Sequence, residues 1–190
     1  MTRRPTIRPR GREWLWAATA GALVLSALRA RSRAEALTTL DEGPPAPAGP
    51  SGPGYRLLAV EGCEIDDATL DAAVAHAAAH GLDVLELLPG DLDAEGVLDV
   101  LRFVDPARYR TDRFALGRGA NQALLLSEPV IARIGDLPAA PLEEADLVRV
   151  LVEAKRCAPV TSDLVVAPGV RAAPEDPARR RGALTAVYEG

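Results

Sequence analysis

The sequence predicts an α/β protein with a small, mostly parallel sheet and flanking helices, preceded by one N-terminal hydrophobic helix. Three observations support this prediction. Short apolar runs alternate with segments whose apolar residues recur at helical spacing. An uncharged run of fifteen residues, 14–28, lies between arginines near the N-terminus. A Pro- and Gly-rich stretch then separates that run from the alternating pattern.

The basic charge of the chain is concentrated at its N-terminus. Residues 1–33 hold eight Arg and one Glu, a charge of +7. Because the net charge of the chain is −5, the remaining residues carry a charge of −12. An acidic body argues against a general nucleic-acid binder, whose folded face would be basic. Residues 1–13 are predicted to form a basic tail that meets anionic membrane lipid.

Residues 14–33 are predicted to form a transmembrane or signal-anchor helix, which would make the protein a single-pass membrane protein. The uncharged run covers about 22 Å as a helix, less than the roughly 30 Å of a hydrocarbon core. Trp14 and Trp16 at one interface, and the arginines after Leu28 at the other, would extend the span. A cleaved signal peptide and a core helix are the alternatives. The arginines only weakly favour an outside location for the body, so its side of the membrane stays open.

The rest of the chain divides into three parts. Residues 41–54 contain five Pro and four Gly, a composition typical of a linker. Residues 55–172 are predicted to form the α/β domain. Residues 173–190 are predicted to be a helical tail without a stop signal, which indicates a piece of a longer gene product.

The first half of the domain has the pattern of a βαβ unit. A strand is predicted over Tyr55–Val60. A helix follows, capped by Asp66 or Asp67 and ended by Gly81. The next strand is predicted over Val84–Leu88, and the short connections favour a parallel pair.

The second half continues the alternation of helices and strands. The predicted elements are a helix over 94–104, an Arg- and Gly-rich loop over 107–121, a strand over 122–126, a short helix from Ser127 to Gly135, an amphipathic helix over 142–157 and a strand over 163–168.

Asp91 and Asp93 are the candidate metal ligands. They follow the strand that ends at Pro89-Gly90, and ligands in open α/β sheets sit outside the carboxyl ends of the strands. Two acids one residue apart can hold a divalent cation through oxygen ligands. The alternative is that Asp93 caps the next helix and Asp91 is a solvated turn residue.

Four arginines lie within eleven residues of the acidic domain and could clamp a diphosphate by bidentate hydrogen bonds. They are Arg108, Arg110, Arg113 and Arg118. The alternative is a loop whose arginines pair with Asp105 and Asp112.

Glu143, Glu144 and Asp146 open the amphipathic helix. Acids are favoured there by the helix dipole whatever the function, and the functional alternative makes one of them a general base.

Two further pairs carry weaker signals. His76 and His80 share one face of a helix, but no third metal ligand is nearby in the sequence. Cys63 and Cys157 match no metal-binding spacing, and either a disulfide or two buried thiols is compatible with them.

The order of these segments resembles the second half of inverting, family-2-type glycosyltransferases, which have a Rossmann-like nucleotide-sugar fold. The segments are Asp91-x-Asp93 after a strand, then GANQALLLSEPVIARIG, EEADLVRVLVEA and LVVAP, all within residues 83–168. The resemblance implies a glycosyltransferase-A-like architecture, with Asp91 and Asp93 as ligands of Mg²⁺ or Mn²⁺. It also implies Glu144 as the catalytic base, with Asp146 beside it. Leu126 and Ser127 stand where the family has arginines, and its opening nucleotide-binding Asp is not recognisable.

Two hypotheses of function follow. The first is a membrane-anchored, glycosyltransferase-like domain that transfers sugar from a nucleotide donor to an envelope or lipid-linked acceptor, with a divalent cation neutralising the leaving diphosphate. The second is a non-catalytic anchored module that docks a partner or positions a downstream catalytic domain, for example a methyltransferase.

Overall fold

The computed structural model of the chain describes residues 11–40, 54–111, 122–157 and 161–174. Several sequence-based predictions lie outside the described residues: the basic tail up to residue 10, the linker over 41–53, the helical tail beyond residue 174, and the two arginines Arg113 and Arg118.

The described residues form seven strands and six helices. The strands are β1 (Thr38–Thr39), β2 (Tyr55–Ala59), β3 (Glu64–Ile65), β4 (Val84–Pro89), β5 (Ala123–Ser127), β6 (Ser162–Ala167) and β7 (Val170–Arg171). The helices are α1 (Gly11–Ala36), α2 (Asp67–His80), α3 (Ala94–Phe103), α4 (Pro106–Thr111), α5 (Glu128–Ile134) and α6 (Glu144–Arg156).

Five strands form one sheet in the order β1-β6-β4-β5-β2, and β3 and β7 form a separate antiparallel pair. Within the large sheet, β1, β6 and β4 run parallel to one another, whereas β5 is antiparallel to both β4 and β2. The α/β prediction is confirmed. The prediction of a mostly parallel sheet is wrong, because two of the four pairings are antiparallel and the sheet is mixed.

The prediction that β2 and β4 form a parallel pair is also wrong, because β5 lies between the two strands. All five side chains of β5 are buried. Such a strand needs cover on both faces, and its backbone needs a hydrogen-bonded neighbour on both edges. Its position between β4 and β2 gives β5 a hydrogen-bonded strand on each edge and cover on both faces. The strands β2 and β4, which α2 connects, therefore run in the same direction but lie two positions apart.

The central strand β4 has all six side chains buried, because helices cover both faces of the sheet. Successive side chains point to opposite faces. Leu85 and Leu87 lie in the cluster that includes Ala73 and Ala77 of α2. On the other face, Val84 packs in the cluster of α5 and α6, and the end of the strand packs in the cluster of α3 and α4.

The ends of α2 and α3 follow from their capping residues. The Asp66 carboxylate accepts a hydrogen bond from the Thr69 backbone N–H at 2.6 Å and begins α2, which Gly81 ends at φ 59°. The Asp93 carboxylate accepts from the Gly96 N–H at 2.7 Å and begins α3. Both helices thus begin as their sequences predict.

Part of the predicted loop over 107–121 is helical. Residues 106–111 form α4, with Pro106 at its first position, where the missing N–H leaves no helical hydrogen bond unmade. The fully buried ring of Tyr109 fixes this short helix against the sheet. Arg108 and Arg110 therefore lie on a helix rather than in a loop.

The first helix, α1, contains the predicted hydrophobic helix and is connected to the sheet. Its C-terminal part packs on α3 and α4, where the Arg33 guanidinium donates to the Leu101 carbonyl at 2.7 Å. Beyond α1, Thr38 and Thr39 pair with β6, and Leu40 is buried in the core. Over the described parts of the chain, no helix is both long enough and apolar enough to cross a membrane.

Candidate functional site

The carboxyl edge of the sheet brings two of the candidate residues together. Asp91 lies two residues after Pro89, which is the carboxyl end of β4. Because β5 is antiparallel to β4, Gln122 at the start of β5 lies at the same edge. The Gln122 side-chain amide donates to the carboxylate of Glu144 at 3.1 Å, which places the start of α6 there too.

The chain after β7 connects the two acids. The Ala172 N–H donates to the Asp91 carboxylate at 2.8 Å, and the Ala173 N–H donates to the Gln122 side-chain carbonyl at 2.9 Å. Two consecutive backbone amides therefore link the predicted metal ligand to the side chain that binds the predicted base. These hydrogen bonds also give Asp91 and Gln122 a structural role, because they fasten residues 172–173 across the edge.

A divalent cation would find only part of its ligand set at this edge. Asp91 and Asp93 are exposed, and one oxygen of each already accepts a backbone N–H. In the described parts of the chain, no three His, Cys, Asp or Glu side chains are grouped to hold a metal ion. Mg²⁺ in proteins commonly takes one or two carboxylates and completes its shell with water and substrate phosphate. The two aspartates fit that mode only if a bound diphosphate supplies further oxygens.

The two predicted catalytic acids of α6 have different surroundings. Asp146 accepts hydrogen bonds from the Glu143 N–H and from the Arg149 guanidinium, both at 3.1 Å, so it belongs to the cap of the helix. Glu144 is half-buried and contacts Gln122. Of the two, Glu144 lies in the more suitable place for a general base, because its partner is a side chain at the sheet edge.

The two described arginines of the predicted diphosphate clamp do not reach this edge. The Arg110 guanidinium donates to the Asp163 carboxylate at 2.6 Å and to the Thr38 hydroxyl at 3.0 Å. Asp163 pairs with Leu85 near the amino end of β4, about 13 Å of strand before Pro89. Arg108 is exposed on the same helix, and its backbone N–H donates to Asp105 at 3.3 Å.

The histidine pair lies near the same ion pair. The His76 ring nitrogen Nε2 is 4.0 Å from the Asp163 carboxylate. Burial lowers the pKa of His76, and His80 and Arg110 lower it further, although Asp163 acts in the opposite direction. His80 uses Nδ1 to contact the His76 carbonyl at 2.9 Å, so that nitrogen is already engaged within α2.

Both cysteines are free thiols. Burial raises the pKa of Cys63 to about 11, and the nearby carboxylates of Asp91 and Glu64 add to the effect. The thiolate is the reactive form of cysteine, and this environment disfavours the thiolate of Cys63.

A buried polar cluster lies beneath α4 and α6 and was not among the sequence-based candidates. Its centre is Glu86 of β4, which is 1% exposed. The Lys155 ammonium donates to the Tyr109 carbonyl at 3.0 Å and lies 3.5 Å from the centroid of the Tyr109 ring. The Ser162 hydroxyl donates to the same carbonyl at 3.0 Å. The sequence signal for this cluster was Glu86 itself, the one acid within the otherwise apolar strand VLELLP.

The environment of Glu86 disfavours its charge. In the described parts of the chain, neither carboxylate oxygen has a hydrogen-bond partner of good geometry. Burial raises the pKa of Glu86 to about 7, although Tyr109 and Lys155 favour the ionised form. The space beside Glu86, which Ala123 and Leu147 help to line, is too narrow for a water molecule. Within the described residues this space has no room for a substrate, and the chemistry that these contacts support is the binding and release of a proton.

A second surface outside the carboxyl edge combines apolar side chains with arginines. Four α1 residues, Leu23, Val24, Leu25 and Leu28, are between 57% and 67% exposed. All of residues 18–29 are exposed. Residues of α1 and α3 line an open groove between the two helices, with a volume of about 420 Å³. We call this the α1–α3 groove, and its lining residues are Ala22, Leu25, Ser26, Arg29, Ala30, Arg33, Leu98 and Leu101.

Comparison of the chain with known protein families, with curated proteins and with solved structures finds no match.

Proposed function

We propose that this chain is a membrane-associated α/β domain that α1 holds at an anionic lipid surface. The exposure of residues 18–29 of α1 is the observation that carries the proposal. A helix that is apolar on all sides is normally buried in a protein core or in lipid. Residues 18–29 carry Leu23, Val24, Leu25 and Leu28, and the described domain leaves all of them exposed.

The charge distribution supports an anionic surface as the partner. Residues 1–33 carry +7, whereas the rest of the chain carries −12. Each Arg close to anionic lipid contributes about 1 kcal/mol of attraction. Such a surface attracts the N-terminus and repels the acidic body, which orients the domain away from the lipid.

At the membrane, we propose that the domain serves as a non-catalytic module that docks a partner. The hydrogen bonds of the carboxyl edge favour the non-catalytic part of this proposal. Asp93 and Asp146 cap helices, Asp91 fastens the Ala172 amide, and Glu144 contacts Gln122. Each of these acids thus has a structural reason to be present.

Cosedimentation of the full chain with vesicles tests the membrane proposal. Vesicles of phosphatidylcholine with added phosphatidylglycerol should carry the protein into the pellet, and added salt should weaken the binding because it screens exposed charges. A Leu23→Ser, Val24→Ser double variant should lose most of the binding, whereas Val97→Ser on α3 should not. Equal binding by all three proteins, or none by the unmodified chain, would contradict the proposal.

Nucleotide-sugar transfer is the second candidate function. Asp91 and Glu144 lie at one edge of the sheet and are linked through consecutive residues, Ala172 and Ala173, and this favours it. In this proposal Asp91 and Asp93 would hold Mg²⁺ or Mn²⁺, which neutralises a leaving diphosphate. Glu144 would accept the proton of the acceptor hydroxyl.

Thermal unfolding with manganese and a nucleoside diphosphate tests this second function. An Asp91→Asn, Asp93→Asn double variant keeps acceptors for the Ala172 and Gly96 amides but removes both charges. Ligand should raise the melting temperature of the unmodified chain and not that of the double variant. Asp71→Asn, on an exposed acid of α2, is the matched control and should respond normally. Absence of any shift in the unmodified chain would exclude the transferase proposal.

A further inference from the structure

We infer that the α1–α3 groove binds a single anionic phospholipid, with its phosphate at Arg29 and an acyl chain against Leu25 and Leu98. The inference rests on the proposed membrane association, and it names the site and the lipid class. General insertion of α1 into a bilayer requires no defined site, whereas this groove would make one lipid part of the domain.

The shape of the groove follows from the spacing of the α1 residues. Ala22, Ser26 and Ala30 recur every four residues, so these small side chains lie above one another on one face of the helix. Leu98 and Leu101 of α3 line the opposite side. Small side chains on one helix and leucines on the other leave the open α1–α3 groove, whose lining is mainly apolar.

The charges at the groove differ in how they are engaged. The Arg31 guanidinium pairs with Glu35 at 2.9 Å, away from the groove. The Arg33 guanidinium lines the groove and donates to the Leu101 carbonyl, which holds α1 on α3. Arg29 is exposed and lines the groove. A guanidinium in this position can bind a phosphate through two parallel hydrogen bonds.

The order of residues along α1 matches the order of groups in a phospholipid. Arg29 is the first charged residue after the uncharged run 14–28. One turn earlier comes Leu25, and the next turn brings Ala22. A lipid with its phosphate at Arg29 would therefore place its hydrocarbon beside Leu25 and Leu98, which is 59% exposed. This match favours a lipid over a peptide or a free anion.

Short-chain lipids test the site without a membrane. Dihexanoyl phosphatidylglycerol, kept below its micelle concentration, is titrated calorimetrically into the full chain. Dihexanoyl phosphatidylcholine and inorganic phosphate are titrated in parallel. We expect phosphatidylglycerol to bind about fivefold more tightly than phosphatidylcholine, the effect of about one arginine near an anion. Inorganic phosphate should bind weakly or not at all, because it lacks the acyl chain.

Matched variants locate the site. Arg29→Gln should remove the preference for phosphatidylglycerol, whereas Arg31→Gln should keep it. Leu98→Ser should weaken the binding of both lipids, whereas Val97→Ser, an adjacent exposed residue of α3 outside the groove, should not. The inference fails if Arg29→Gln and Arg31→Gln behave alike, or if phosphate binds as tightly as the lipid.

Failure of this inference is distinguishable from failure of the proposed membrane association. Vesicle binding without binding of the short-chain lipid overturns the groove and leaves membrane association standing. Binding of the short-chain lipid at Arg29 without vesicle binding supports the groove and overturns the association.

Discussion

The helices α1 and α6 both contain many apolar residues, but the domain covers α6 and leaves residues 18–29 of α1 exposed. Eight of the thirteen α6 residues are buried, and exposed residues such as Arg149 and Glu153 occupy the other side. In α1, every residue over 18–29 is exposed. A helix with one apolar side completes its burial against a sheet, whereas a helix that is apolar all round leaves surface for a second apolar phase. The sequence pattern therefore distinguishes α6, which forms part of the core, from α1, which we propose attaches the domain to a membrane.

The largest expected contrast is between equivalent truncations in the two helices. Leu151→Ala in α6 removes a side chain that is 2% exposed and should lower the free energy of unfolding by about 3 kcal/mol. Leu25→Ala in α1 should change it by less than about 0.5 kcal/mol. Urea unfolding followed by circular dichroism measures both. Equal losses would mean that Leu25 of α1 is as well covered as Leu151 of α6, which would contradict the exposure of α1 at this residue.

The carboxyl group of Glu86 is buried beneath α4 and α6, and its burial should affect how stability depends on pH. The pKa of Glu86 is raised from 4.5 to about 7, so the folded state binds this proton more tightly than the unfolded state. The free energy of unfolding should therefore fall as the pH rises through this interval, by up to about 3 kcal/mol. Glu86→Gln should remove this slope.

The control for that measurement is Glu153→Gln, which changes an exposed acid of α6 and should leave the slope unchanged. The lowered pKa of His76 gives a contribution of opposite sign, because stability is lost as the pH falls below the usual histidine range. That contribution is common to all three proteins and cancels in the difference. A slope in Glu86→Gln equal to that of the unmodified chain would contradict the burial of a titrating Glu86.

A smaller effect is expected at the start of α3, which forms the other wall of the groove. Asp93→Ala removes the acceptor for the Gly96 N–H and should lower the free energy of unfolding by about 1 kcal/mol. Asp93→Asn retains the acceptor and should cost only a few tenths of that amount. Urea unfolding measures both variants. A large loss in Asp93→Asn would mean that the charge itself stabilises the fold.

Local signals predicted the elements that depend on local physics. Asp66, Gly81 and Asp93 set the ends of α2 and the start of α3, and helical spacing identified α6. The position of β5 could not be predicted in this way. Its run of buried residues fits any fully covered strand, and its neighbours are chosen by pairings with β2 and β4 that are distant in sequence.

The same limit applies to the candidate sites. Asp91 was proposed as a metal ligand from its place after a strand, and Glu144 was proposed as the base from the family resemblance. Both residues lie at one edge of the sheet, but their proposed roles remain predictions. The contact of Arg110 with Asp163 and the cluster around Glu86 join residues far apart in the chain. The α1–α3 groove likewise depends on how two helices approach each other, which the spacing within either helix does not determine.

Tryptophan emission reports directly on whether α1 enters lipid, because both tryptophans of the chain, Trp14 and Trp16, lie in α1. Emission is recorded for the full chain alone, with phosphatidylcholine vesicles, and with vesicles that contain phosphatidylglycerol. We expect a shift to shorter wavelength and protection from an aqueous quencher with the anionic vesicles, and smaller changes with the neutral ones. Unchanged emission and quenching at saturating anionic lipid would contradict the proposal that α1 attaches this domain to a membrane.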